Sequence, residues 1–151
     1  MFRSLLFVLL IPVAGFSQNF IGKSKASVMK HLQQQQTRHD SLGITLTHTD
    51  STITYKVPAG KTQAADFIYE FGPDGKCRME RIRASCDSCF KKYLQKALDQ
   101  KKYKWKKIND NQYVSKYSKR TMIELPAEGN DFSFTILRTG WSKKLYAILM
   151  N

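Results

Sequence analysis

The chain has 151 residues and a formal net charge of +13, from 25 lysine and arginine residues against 12 aspartate and glutamate residues. Hydrophobic residues make up 42% of it, which is enough for one domain with a modest core, or for two small packed halves. The longest apolar run covers residues 5–13, well short of the roughly 20 residues that cross a bilayer as a helix, so no transmembrane segment is predicted.

Residues 1–17 have the composition of a secretory signal peptide. Arg3 is followed by the apolar run, and small residues then precede the predicted cleavage between Ser17 and Gln18. The predicted mature chain is a single α+β domain, residues 18–151, exported to the periplasm or the extracellular space. The first cysteine is Cys77, so no lipid anchor is expected at the cleavage site.

The next part of the chain predicts a helix followed by four strands. Ser24 is a candidate N-cap, and apolar residues follow at helical spacing, which predicts a helix over 25–35. Alternation of apolar and polar residues predicts half-buried strands in ITLTHT, TITYKV and DFIYEF, and a less regular one in KCRMERIRA. In the last run Met79 and Ile82 are three positions apart, so a regular strand would point them to opposite faces. A β-bulge would explain this irregularity.

The remaining sequence has the same order of elements. Apolar residues recur every four positions from Cys89 to Leu98, which predicts a second helix. Four more strand-like runs follow, YKWKKI, QYVSKY, TMIEL and DFSFTIL, with turns at 109–111 and 128–130. The tail, 141–151, is compatible with a last strand or a short helix, and the sequence leaves both open.

These elements predict a two-layer α+β fold in which two helices pack on an antiparallel sheet. A sheet with one apolar face must be covered, and the two helices each offer an apolar stripe for that purpose. The repeated order also allows two similar halves, each a helix plus four strands, over residues 18–84 and 85–151.

The start of the first helix resembles a known type of exported domain. Gly22, Ser24, Val28 and Leu32 have the spacing found in small domains of outer-membrane assembly lipoproteins and, in tandem, of the beta-lactamase-inhibitor protein. The chain lacks the lipid-bearing cysteine of the assembly lipoproteins. The resemblance implies a non-enzymatic domain that binds another protein over its sheet.

Three cysteines in an exported chain leave one unpaired. If Cys77 begins a strand that runs to Ala84, it lies roughly 20 Å from the second helix at about 3.3 Å per residue. A disulfide requires Cα atoms within about 7 Å, so Cys86 and Cys89 are predicted to pair and Cys77 to be a free, buried thiol. A bulge or an early turn in that irregular strand would let Cys77 pair instead.

The basic residues concentrate in the second half. Residues 76–151 contain 18 basic and 7 acidic residues, against 6 and 5 in residues 18–75. On a strand, Tyr103 and Trp105 would face the core while the lysines between them face solvent. The leading interpretation is a solvated surface, and the alternative is contact with an acidic protein, a lipid head group or an anionic envelope polymer. The candidate anion contacts are Lys91, Lys92, Lys96, Lys102, Lys104 and Lys106.

Nucleic acid is not an expected partner, because lysine lacks the bidentate fork with which arginine recognises phosphate. No metal site is predicted, since zinc needs about four ligands and the histidines, His31, His39 and His48, are scattered. A short strand end followed by a polar turn accounts for the proximity of His48, Asp50 and Ser51 without a catalytic role.

No phosphate loop, nucleophile elbow or zinc-protease motif occurs, and no catalytic residue or cofactor is predicted. Glu70, Glu80 and Glu124 fall on separate predicted strands. The leading hypothesis is therefore an exported, non-enzymatic domain that binds a protein or an anionic envelope component. The alternative hypothesis is a thiol-disulfide active protein that uses Cys86 and Cys89.

Overall fold

The computed structural model describes residues 19–58, 64–127 and 131–150. Before the midpoint of the chain lie helix α1 and four strands, namely α1 (Lys25–Arg38), β1 (Thr45–His48), β2 (Thr52–Val57), β3 (Ala65–Phe71) and β4 (Cys77–Ala84). Two helices and four strands follow, namely α2 (Asp87–Leu98), β5 (Lys106–Asn109), β6 (Gln112–Val114), β7 (Thr121–Glu124), β8 (Ser133–Arg138) and α3 (Lys143–Met150). The predicted signal peptide and the predicted turn at 128–130 lie outside the described residues.

All eight strands belong to one antiparallel sheet with the order β1-β2-β3-β4-β8-β7-β6-β5. The four strands after each of the first two helices are therefore neighbours in chain order. The last strands of the two sets pair with each other at the centre of the sheet, with Glu80 opposite Ile136 and Ile82 opposite Phe134. The predicted α+β class with an antiparallel sheet is confirmed.

Helices α1 and α2 contribute to one hydrophobic core on the same face of the sheet. Ser24 caps α1 by accepting a hydrogen bond from the backbone nitrogen of Ser27, as expected for an N-cap serine. The helix extends to Arg38, three residues beyond the predicted end. The core residues from the helices and strands include Val28, Leu32, Ile53, Tyr55, Phe67, Ile82, Tyr93, Ala97, Ile123, Phe134 and Ile136.

The third helix, which the two-helix prediction lacked, lies on the other face of the sheet. Met122 and Ile123 are consecutive in β7 and so point to opposite faces. Ile123 belongs to the large core, whereas Met122 packs with Tyr146 of α3 in a second, smaller cluster. The predicted two-layer arrangement is thus not confirmed. No helix in the described parts of the chain combines the length and the apolar character needed to cross a membrane.

Two strands are shorter than predicted. The run predicted to begin at Tyr103 is a turn up to Trp105, and β5 begins only at Lys106. Lys104 has a left-handed backbone conformation, φ 51°, which a continuous strand does not allow. The run predicted over 112–117 ends as a strand at Val114.

The irregularity of β4 is a bulge at its start. Phe71 pairs with Cys77 and Glu70 pairs with Met79, so Arg78 is an additional residue in β4. Because of this additional residue, the alternation of inward and outward side chains shifts by one position between Cys77 and the rest of the strand. As a result, Glu80 and Ile82 point toward the helices, and Met79 and Arg81 point to the opposite face.

Candidate binding surfaces and the cysteine pair

Cys86 and Cys89 lie at disulfide distance at the start of α2, with their sulfur atoms 2.28 Å and their Cα atoms 5.1 Å apart. Cys86 is the N-cap of α2, and its sulfur accepts a hydrogen bond from the backbone nitrogen of Cys89 at 3.1 Å. Both side chains are partly exposed. The pair fastens the first turn of the helix and remains within reach of solvent.

Cys77 is the remaining cysteine, and it is fully buried. Its thiol donates a hydrogen bond to the carbonyl oxygen of Met79. Burial, with a smaller contribution from the charge of Glu80, raises the pKa of Cys77 to about 12. Because thiolates are the reactive form, this thiol is inert in the folded protein.

Glu80, which the sequence places on a separate predicted strand from Glu70 and Glu124, is a buried carboxyl group. It lies between the sheet and α2, and a small cavity beside it is lined by Asn19, Tyr93 and Gln100. Desolvation raises its pKa to about 8, although the backbone nitrogen of Phe20 donates a hydrogen bond to it at 3.5 Å. The sequence signal for its inward position is the apolar Ile82 two residues later, because residues two apart on a strand point to the same face.

The six predicted anion contacts do not form one site. Lys91, Lys92 and Lys96 lie on α2, where Lys91 forms an ion pair with Asp87. Lys102 and Lys104 lie in the turn after the helix, and Lys102 stacks over the ring of Tyr103. Lys106 pairs with Val114 and therefore points to the face of the smaller cluster. The lysines thus surround this half of the protein.

Tyr103 and Trp105 pack in the interior, as the sequence predicted, although not on a strand. Their rings stack with centroids 5.0 Å apart. The indole nitrogen of Trp105 donates a hydrogen bond to the carbonyl oxygen of Ala97 at 3.0 Å, near the end of α2. These rings therefore anchor the turn to the helix and are not available for stacking with a ligand.

On the face of the sheet that points away from α1 and α2, α3 packs over Leu137 of β8, whereas the outward side chains of β2, β3 and β4 are not buried. We call the unburied part of this face the open face and define it by residues that pair across the strands, Thr54, Lys56, Asp66, Ile68, Met79, Arg81, Arg83 and Thr135. None of these side chains is buried, whereas Tyr55, Phe67 and Ile82 on the inward side of the same strands are.

Charges of both signs lie on the open face. Lys56 and Asp66 are 3.5 Å apart and form an ion pair. Arg81 and Arg83 enter no ion pair with any residue that the structure describes. Their guanidinium groups are therefore available to an external partner, beside the partly exposed apolar side chain of Ile68.

A second surface surrounds α3. Tyr146 is fully buried against the rings of Tyr117 and Trp141, and its hydroxyl group forms a hydrogen bond with Thr139. These contacts join α3 to the loop between β6 and β7. The loop and α3 together carry the basic residues Lys116, Lys119, Arg120, Lys143 and Lys144.

The described residues contain no group of three or more histidine, cysteine, aspartate or glutamate side chains that could hold a metal ion. Comparison of the chain with protein-family models, with curated proteins and with solved structures finds no match. The resemblance of the first helix to the exported domains named above therefore stays a prediction, and function rests on the surfaces themselves.

Proposed function

We propose that the chain is an exported, non-enzymatic domain that binds a protein over the open face of its sheet. The observation that carries the proposal is the combination of unpaired Arg81 and Arg83 with the partly exposed Ile68 and Met79 on the open face. Arginine and methionine are enriched at protein interfaces, and arginine is frequent among the residues that dominate binding energy. Export is inferred from the signal-peptide pattern of residues 1–17.

We also infer that residues 18–84 and 85–151 are two similar halves. Each supplies a helix to the same core, represented by Val28 and Tyr93, and each supplies four consecutive strands. Pairing of β4 with β8 extends one sheet across both halves, and the open face extends across this junction. A partner bound there would contact both halves at once.

An anionic polymer is less well supported as the ligand of the open face. Asp66 and Glu70 lie among its cations, and Glu124 lies on the same side of the neighbouring strand β7, opposite Thr135. A polyanion would meet these carboxylates as well as the arginines. Mixed charge with exposed threonine and aliphatic side chains is instead typical of a surface that recognises another protein.

Affinity capture with matched variants tests the proposal. The protein is immobilised, exposed to an envelope extract of its native host, and compared with R81E/R83E on the open face and with K92E/K101E, which changes one lysine of α2 and one of the turn after it. Lys92 and Lys101 are exposed and enter no ion pair with a described residue. A partner retained by the wild type and by K92E/K101E but lost from R81E/R83E supports the proposal. Equal retention by all three proteins contradicts it.

The thiol-disulfide hypothesis is the second candidate, and the position of Cys86 favours it. A sulfur at a helix N-terminus that already accepts a backbone hydrogen bond is stabilised as a thiolate after reduction. The hydroxyl groups of Ser88 and Ser85 lie 3.2 Å and 3.8 Å from the sulfurs of Cys86 and Cys89, respectively. Rapid exchange of the pair with glutathione, together with a thiolate pKa well below about 8.5, would favour this function over the binding domain.

A further inference from the structure

The surface around α3 differs in kind from the open face, and we propose that it docks the protein on an anionic phospholipid bilayer. We call this surface the basic pole. It consists of five cations, the helix α3 and two exposed apolar side chains, namely Lys116, Lys119, Arg120, Lys143, Lys144, Leu145 and Ile148. The proposal is independent of protein binding over the open face.

The first observation is the exposure of apolar side chains on α3. Leu145 is 38% exposed and Ile148 is 65% exposed, and they are the large hydrophobic side chains that the described residues expose. They lie three positions apart on one helix and so are neighbours on its surface. Tyr146, between them in sequence, points inward and anchors the helix to the sheet.

The second observation is the absence of negative charge around these side chains. Segments 112–123 and 132–151, which build the basic pole, contain no aspartate or glutamate. None of these five cations enters an ion pair with a described residue. Arg120 instead lies over the ring of Tyr117, whose own contact with Tyr146 places this cation beside α3.

Tertiary contacts bring the cations together from separate parts of the chain. The backbone nitrogen of Thr139 donates a hydrogen bond to the carbonyl oxygen of Arg120, which fixes the end of β8 to the loop before β7. Arg138, at the same end of β8, has the phase of Ile136, so its side chain points to the opposite face of the sheet and is not part of the basic pole. Lys144 lies one turn before Ile148 on the same side of α3. One end of the sheet thus presents cations around an apolar centre.

A bilayer with anionic head groups matches both parts of this surface. An amphipathic helix at a membrane interface inserts its apolar side chains at the boundary between head groups and acyl chains, while flanking lysines contact lipid phosphates. Each cation close to an anionic membrane strengthens binding by roughly fivefold. An acidic protein would satisfy the charges but would gain less from the protruding Ile148, and a second copy of the pole would be repelled by its own charge.

Vesicle sedimentation tests the proposal with protein purified from its native host, so that every variant has the same N-terminus. The probes are vesicles of phosphatidylcholine mixed with phosphatidylglycerol, and vesicles of phosphatidylcholine alone. We expect binding to the anionic vesicles only. K143Q/K144Q should weaken it by about 20-fold, and L145S/I148S by about tenfold.

Two variants serve as controls in the same assay. K92Q/K101Q removes the same charge from α2 and the turn after it, away from the exposed Leu145 and Ile148, and should change the affinity by less than about threefold. R81E/R83E should still bind vesicles, which separates this surface from the open face. Circular dichroism checks that each variant remains folded.

Three outcomes would overturn the proposal. They are failure of the wild type to bind anionic vesicles, equal loss of binding in K92Q/K101Q and K143Q/K144Q, and full binding by L145S/I148S. Sedimentation velocity provides a further test, because a dimer that the Ile148→Ser substitution dissociates would assign the apolar side chains to self-association.

Discussion

A carboxylate oxygen of Glu80 lies 3.5 Å from the backbone nitrogen of Phe20, deep between the sheet and α2. This contact joins β4 to the segment that precedes α1. The segment is also fixed by a hydrogen bond from the backbone nitrogen of Gly22 to the carbonyl oxygen of Cys77. A charge that appeared on Glu80 would lie in a desolvated site, and it would raise the pKa of the nearby Tyr69 and Tyr103, whose burial already raises it.

Stability should therefore fall as pH rises. The pKa of Glu80 is about 8 in the folded protein, above its ordinary value of 4.5, so the folded state holds a proton that the unfolded state has released. The stability that the neutral Glu80 carboxyl group contributes is complete below pH 4.5 and is lost as pH rises to about 8. Over this range the free energy of unfolding falls by about 1.4 kcal/mol per pH unit. Glu80→Gln should remove this slope and raise the free energy of unfolding at pH 7 by on the order of 3 kcal/mol.

Urea unfolding at a series of pH values measures the slope. The amide oxygen that the Glu80→Gln substitution introduces can still accept the hydrogen bond of Phe20, so the substitution isolates the charge. Glu124→Gln is the matched control, because Glu124 is reached by solvent and accepts its hydrogen bond from Gln112. An unchanged slope in E80Q would show that another group causes the pH dependence.

The cysteine pair should contribute modestly to stability. Its loop is short, so replacing both cysteines by alanine is expected to cost about 1 to 2 kcal/mol through the unfolded-state entropy. The alanine variant also loses the N-cap contact to the backbone nitrogen of Cys89. C86S/C89A restores an acceptor at the cap and should recover about 1 kcal/mol relative to C86A/C89A.

Thiol titration provides the companion measurement. The folded protein should show no reactive thiol, and the denatured protein should show one, from Cys77, because that sulfur is buried. Two or more reactive sulfurs in the folded state would mean that the pair at the start of α2 is open. In that case the stability difference between the alanine and wild-type proteins should shrink to the contribution of the N-cap contact, about 1 kcal/mol.

Trp105 is expected to hold the turn after α2. Trp105→Phe keeps a ring for stacking on Tyr103 but removes the hydrogen bond to Ala97, at a cost of about 1 kcal/mol. Trp105→Ala removes the ring as well and should cost about 3 kcal/mol. Chemical denaturation distinguishes the two effects, and equal costs would show that stacking contributes nothing.

Export is open to a direct test. Mass spectrometry of the protein from its native host should find a mature chain that begins at Gln18, because the residues before it have the pattern of a cleaved leader. A mature chain that retains Met1 or Phe2 would contradict both the signal peptide and the oxidising compartment that the disulfide requires.

The inward face of the sheet could be predicted because alternation is a local property of the sequence. Ile53 and Tyr55 in β2, and Phe67 and Tyr69 in β3, are two positions apart and all are buried. The turn at Tyr103 could not be predicted in this way. Lys104 adopts a left-handed conformation, the rings on either side of it stack on each other, and Trp105 donates a hydrogen bond to α2. In the sequence, however, the alternation of aromatic and basic residues in this segment is typical of a strand.

The candidate surfaces were harder to predict because they depend on contacts between distant segments. The lysines of α2 form a dense run in the sequence, yet in the structure they point in several directions. The cations around α3 are scattered in sequence and converge only because Tyr117 and Tyr146 pack together. Likewise, Arg81 and Arg83 are recognisable as outward residues only after the bulge at Arg78 fixes the phase of β4.

The pairing of β4 with β8 sets the order in which the protein can fold while the chain is being made. Glu80 meets Ile136, so the central strand acquires its second neighbour only after almost the whole chain has emerged. Until then β4 is an edge with unpaired backbone groups, a condition that favours association with other chains. Its three arginines, Arg78, Arg81 and Arg83, oppose such association, and closure of this long-range contact should be the slow step of folding.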